Sequence, residues 1–256
     1  MLLDLGLGFG AGLVVAVVTT PVGVSGAVFL LPVQLTLLGV ANPAVTPTNL
    51  LFNVVAGPGA LMRYRRTGHL RPPLVRLLLA GTVPGVIAGA LIRVFLLPGA
   101  QVFRLVAGLV LLALGAWLVC RTVAPARRRS LTDRKVVVLA LGIGVLGGIY
   151  GIGGGSILSP ILIGSGMTVG VVAPAALAST FLASAVGAVT FAVVATITGG
   201  SIAPDWSLGI ACGVGGLVGG YLGAHIQPHV PERALRLLLG CLAIGVGVLY
   251  LGEGLV

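Results

Sequence analysis

Two stretches of this chain combine glycine with a hydroxyl in a way that would leave main-chain N–H groups open to a ligand: GVSGAVFLLP at 23–32 and GIGGGSILSP at 151–160. Glycine adopts backbone conformations that end a helix, and a helix restarting after such a break presents N–H groups with no intrahelical acceptor at the positive end of its dipole. That is the chemistry of anion binding. Gly23, Ser25 and Gly26 in the first stretch, and Gly151, Gly153, Gly154, Gly155 and Ser156 in the second, are therefore candidate substrate-binding residues. Ser25 and Ser156 also stand where a capping hydroxyl would, and capping one donor leaves the others free.

A second polar set follows each stretch. TPTNLLFN at 46–53 carries Thr46, Thr48, Asn49 and Asn53; ASTFLASA at 178–185 carries Ser179, Thr180 and Ser184. Serine and threonine in an apolar helix often bond their own backbone, so Ser179 and Ser184 read equally well as structural. Asn49 and Asn53 lie one turn apart on one helix face, where lipid would be a costly neighbour, so they should face a cavity or another helix. Thr48, Asn49, Asn53, Ser179, Thr180 and Ser184 complete the candidate site. No carboxylate joins them: Asp4, Asp133, Asp205, Glu232 and Glu253 fall at span ends or in loops. An intramembrane acidic proton relay or sodium site of the usual type is not visible, and the cargo should be uncharged or negative. Cys120, Cys212 and Cys241 stand alone and read as packing residues, with no metal and no cofactor implied. His225 reads as an interfacial group near a helix end, with carriage of a proton as the alternative, and Arg93 as a side chain that snorkels to the surface, with added charge in the pathway as the alternative.

The elements that must hold these residues are membrane helices. Of 256 residues 57% are hydrophobic and 8% charged, mean hydropathy is +1.18, and apolar runs of about 20 residues recur along the chain. Five acidic residues cannot dress the exterior of a soluble domain. The reading is an all-α, polytopic helical membrane protein, one membrane domain over 1–256. The net charge of +10 sits in short loops, which points to orientation in a lipid bilayer rather than to nucleic acid. The start of the chain has no Lys or Arg before Arg63, so it lacks the basic flank of a secretory signal and should belong to the fold.

The chain is a tandem repeat. Gly23, Gly26, Leu30 and Pro32 align with Gly151, Gly154, Leu158 and Pro160; GVIAGALI at 85–92 aligns with GGYLGAHI at 219–226; RLVAG at 104–108 aligns with RLLLG at 236–240. The copies cover 5–120 and 136–252, joined by a basic linker at 121–135, RTVAPARRRSLTDRK, expected to be cytoplasmic. Equivalent loops differ in charge: 63–76 holds five arginines, while 199–208 holds Asp205 and no basic residue. We read the copies as inverted, with an odd number of crossings each. Residues 5–40 are uncharged and as one helix would extend roughly 54 Å, against a hydrocarbon core about 30 Å thick. The chain must break near 18–26, and likewise near 147–156. Either a re-entrant pair of half-helices or two short spans fits. The remaining spans are expected near 47–62, 76–97, 101–120, 174–198, 206–227 and 233–252. Gly81, Gly85 and Gly89, and Gly215, Gly219 and Gly223, form small-xxx-small patterns best explained by helix packing.

The glycine break of form GxGGGxxxxP, the small-polar helix after it, the turn GGSIAPDW and the terminal RLLLG helix resemble the TauE/SafE family of sulfite and organosulfonate exporters, over about 5–252. The resemblance implies a multi-pass transporter of a bacterial inner membrane moving sulfite, sulfoacetate or a related sulfur-containing anion. It also implies that the family's glycine motif falls on Gly151, Gly153, Gly154 and Gly155. In copy one those positions are Gly23, Ser25, Gly26 and Ala27, a departure that makes the first break less permissive. The partners expected are a small anionic substrate and lipid, with a homo-oligomer left open. A potential negative inside drives an anion outward, so transport should be electrogenic. Rival readings are an anion channel or uptake permease, and a rhomboid-like serine protease using the GVSG of 23–26 with His225 as base. Ser25 aligns with Gly153, which suits a repeat better than a catalytic centre, and an enzyme is not expected.

Overall fold

The computed structural model describes residues 2–68, 70–96, 100–123, 131–198 and 202–255. The central part of the linker and the start of the GGSIAPDW turn lie outside the described residues. Ten α-helices follow in order: α1 Leu2–Thr19, α2 Ala27–Pro32, α3 Val45–Arg66, α4 Pro72–Phe95, α5 Ala100–Val123, α6 Asp133–Tyr150, α7 Gly155–Gly164, α8 Val169–Thr198, α9 Trp206–Ile226 and α10 Glu232–Leu255. A 3₁₀ turn, Thr20–Val22, follows α1, and α2 continues as a π-helical turn over Val33–Leu37. Among the described residues there is no strand.

Among the described residues, four segments are long and apolar enough to cross a membrane: Leu2–Val22, Pro72–Phe95, Val169–Thr198 and Trp206–His229. α3 has the length, 22 residues, but its Thr and Asn residues and terminal arginines dilute its hydropathy. Large apolar side chains such as Val14, Val189, Val193 and Val248 are exposed, while Asn49, Asn53, Ser156 and Ser184 are buried. A protein solvated by hydrocarbon arranges its surface and interior in this way, because a polar group facing lipid has no water to bond.

Packing exchanges helices between the two halves. The first helix of each half lies against the fourth of the other: α1 runs beside α9 and α6 beside α4. Both contacts rest on glycine. A side chain on Gly215 would overlap the main chain of Phe9, one on Gly219 that of Leu13, and one on Gly12 that of Cys212. Gly81, Gly85 and Gly89 meet the backbone of α6 from Val137 to Gly148 in the same manner. The packing role read from these patterns holds at each of the six positions. From the residue pairs, α1, α3 and α9 run in one direction and α4, α6 and α8 in the other, with α5 antiparallel to α10. Cys212 is buried at the α1 contact, but Cys120 and Cys241 are exposed and have no packing role to explain them.

The first full span beyond each break, α3 and α8, is longer than anticipated. α8 begins at Val169 rather than near 174, because the Thr168 carbonyl already accepts from Val171 and Val172, and Pro174 falls within the helix. The segments after the breaks are short: α2 has 6 residues and α7 has 10. Gly26 lies against Val15, and Leu38 beside Gly8. The chain after α1 therefore doubles back along it. Gly154 sits against Gly144, and its main chain closes on Gly147, so α7 also leaves its turn folded toward α6.

Candidate functional site

The two glycine turns meet. The Ser25 N–H donates to Ser156 Oγ at 3.0 Å, and Ser156 Oγ donates to the Ile152 carbonyl at 3.3 Å. Ser159 Oγ donates to the Val22 carbonyl at 2.6 Å, a second tie between the copies. Asn53, on α3, bonds both turns at once. Its Oδ1 accepts from Ser25 Oγ, while its Nδ2 donates to the Gly151 carbonyl at 3.3 Å and to Ser184 Oγ at 3.0 Å. Ser25 Oγ also accepts from the Ala27 N–H at 3.2 Å, at the start of α2. Buried amide and hydroxyl groups need such partners, and α3 and α8 supply them to turns that could not otherwise persist among apolar helices.

The turns differ in backbone. Gly151, Gly153 and Gly154 have φ of 71°, 68° and 75°, a left-handed run that side chains rarely adopt. In the first turn only Gly23 is left-handed, at 73°, whereas Gly26 has φ −57°. Ser25 can therefore replace the glycine found in copy two, which accounts for GVSG against GIGG. The hydroxyl gained there is the one that reaches Asn53.

Beside the meeting point lies a half-open cavity with about 340 Å³ of empty space, part of it continuous with the outside. Its polar lining is Thr20, Ser25, Asn53 and Thr180, and Phe52 and Phe181 are among its apolar lining. Among the described residues, no charged side chain lines it. Thr180 Oγ1 is buried and has no hydrogen-bond partner among the described residues. From Asn53 the cavity runs along α3 to Ala60 and along α9 from Gly216 to Gly220, toward the end of the molecule carrying Arg63, Arg65 and Arg66. There Tyr64 packs with Ala60, Leu177 and Ala224, and its hydroxyl donates to the Thr20 carbonyl at 3.4 Å.

The structure thus brings together Ser25, Gly26, Asn53, Gly151, Gly153, Ser156, Thr180 and Ser184, with Gly154, Gly155 and Gly23 shaping the turns. Asn49 belongs with them: its Nδ2 donates to the Ala27 carbonyl at the start of α2, and a side chain on Gly151 would meet its Cβ. Two candidates stand apart: Thr48 Oγ1 donates to the Ala44 carbonyl and accepts from the Asp205 N–H, and Ser179 Oγ shares a hydrogen bond with Thr82 Oγ1. Ser159, inside the second glycine stretch itself, and Thr82, a lone hydroxyl in GTVPG, were passed over in the sequence although their polarity marked them. Arg93 does not snorkel: it is fully buried, donating from Nε to Thr46 Oγ1 at 3.3 Å and from its terminal nitrogen to Asn42 Oδ1. Ser25 has Asn53 as its acceptor instead of a histidine, and the His225 ring lies 6.2 Å from that of His229. This is not the geometry of an activated serine nucleophile.

Compared with known proteins, residues 8–250 match the family model described as Sulfite exporter TauE/SafE. No curated protein and no solved structure matches the chain.

Proposed function

Because the chain belongs to the sulfite exporter TauE/SafE family, a family of membrane transporters, we propose that it carries sulfite or a related organosulfonate out of a bacterial cell across the inner membrane, binding the anion where the two glycine turns meet. One observation carries this reading: the first glycine turn, bonded to the second through Asn53, borders a cavity in which the Thr180 hydroxyl lacks a partner among the described residues. Irregular backbone at membrane depth is tolerated only where it is buried in protein or lines a wet cavity, and the N-terminal end of a half-helix favours negative charge.

The transporter architecture is two inverted copies, each a re-entrant helical pair followed by three spans. The exchange of α1 and α6 between halves and the antiparallel α5–α10 pair support it. With Arg63, Arg65 and Arg66 facing the cytoplasm, the cavity leads from that side to the turns, with Tyr64 at its inner end. A site loaded from inside and emptied outside uses the membrane potential directly, about 2.3 kcal/mol per charge for each 100 mV. The test is sulfite flux from proteoliposomes under imposed potentials of either sign. Flux that rises with a negative interior is the expected result; flux indifferent to the potential removes the electrogenic mechanism, and no flux of sulfite or methanesulfonate removes the reading.

A further inference from the structure

The repeat register that aligns 85–92 with 219–226 sets Arg93 opposite Gln227. Both reach the corresponding place in their neighbouring turn. Gln227 Nε2 donates to the Pro21 carbonyl at 2.6 Å; Arg93 donates to Thr46 Oγ1, which donates to the Ile149 carbonyl at 3.2 Å. Residues 21 and 149 are equivalent in the same alignment that pairs Gly23 with Gly151. Each turn is therefore tied by the residue at the end of the other half's fourth span, directly by a neutral amide at Pro21 and through Thr46 by a cation at Ile149.

The two lie at opposite ends of the molecule. Gln227 follows α9 at the end where Tyr64 meets Thr20, and Arg93 closes α4 at the far end from Arg66 and the cavity. We propose that Arg93 makes the two ends of the pathway unequal toward an anion, a fixed positive charge that holds the second turn and draws cargo from the paired turns toward the exit. This rests on the anion reading above. Arg93 touches Thr46 and Asn42, not the cavity, so it acts on cargo through its field and through the turn it positions. In a low-dielectric interior a single charge acts well beyond contact distance.

The experiment measures KM for sulfite at each face of proteoliposomes with the protein in one orientation, for wild type, R93Q, R93K and Q227R. R93Q keeps a hydrogen-bonding amide, as Gln227 does, and loses the charge. KM at the Arg93 face should rise roughly tenfold, the size of a one-charge interaction in a partly dry interior, with the other face unchanged. R93K should retain the wild-type value, and Q227R should lower KM at its own face. An unchanged R93Q, or equal losses in R93Q and R93K, overturns the proposal, since a purely hydrogen-bonding role moves the two alike. Should R93Q not fold, a Q227R protein with unaltered KM overturns it as well. Wild-type protein that moves sulfite while the variants behave in these ways leaves the anion site standing; wild-type protein that moves no anion removes both.

Discussion

Asn53 occupies one helical position yet bonds both glycine turns and Ser184. Asn53→Ala leaves buried hydroxyl and carbonyl groups without partners, each costing about 1–3 kcal/mol, and is expected to lower the unfolding temperature of the purified protein together with its transport. Thr180→Val separates binding from folding. The Thr180 hydroxyl has no partner among the described residues, so its loss should leave the unfolding temperature unchanged or higher. Sulfite binding by calorimetry should weaken roughly tenfold, hydrogen bonds to charged groups being worth about 1.5–3 kcal/mol. Binding equal to wild type would take Thr180 out of the site. Gly154→Leu acts on the backbone: φ of 75° disfavours any side chain, and a Cβ would stand 3.2 Å from Gly144 Cα, so flux should be lost even in protein that still folds. The sequence displayed these residue types but not their partners. Ser25 and Ser156, like Asn53 and Ser184, are 131 positions apart, and no local pattern encodes such a meeting; nor could the polarity of Thr48 reveal that its hydroxyl serves the Ala44 carbonyl.

The helix breaks were legible because length forced them: an uncharged run too long for one span, containing Pro and Gly, cannot stay a single rod. The direction taken after the break was not, since α2 and α7 carry little periodicity in so few residues. What turns the first one back is contact with α1 at Val15 and Gly8, a tertiary effect. The packing glycines carry a sharper test. Gly215 allows α9 to touch the main chain of Phe9, whereas Gly142, also helical, has open space where its Cβ would be. Gly215→Leu should force α1 from α9 at a cost of about 1–3 kcal/mol or more, read as a lower unfolding temperature and aggregation in detergent. Gly142→Ala should be neutral or slightly stabilising, because alanine is the better helix former. Equal behaviour of the two would mean that glycine serves something other than close helix approach.

For the molecule as a whole, the charge asymmetry of equivalent loops and the relative direction of the helices both support the proposed inverted topology. In the proposed topology the arginines of 63–76 keep the α3–α4 connection inside, and the parallel course of α3 and α9 then puts the start of α9, with Asp205 and Trp206, outside. Had the halves repeated without inversion, α9 would correspond to α4 and share its direction, carrying Asp205 to the arginine side. Single cysteines introduced into a cysteine-free background at Thr67 and Ser207, both exposed, distinguish the two topologies. In intact cells a membrane-impermeant maleimide should label Ser207→Cys and leave Thr67→Cys untouched until the membrane is opened. Labelling of both from the same side would remove the inversion, and with it the argument that two half-helices of opposite polarity converge on one anion. The proposed inversion would set the aligned residues Arg93 and Gln227 at opposite faces: copies related by a two-fold axis in the membrane plane bring matching positions to opposite surfaces, so a single substitution between such copies would be enough to give a symmetric scaffold a preferred exit.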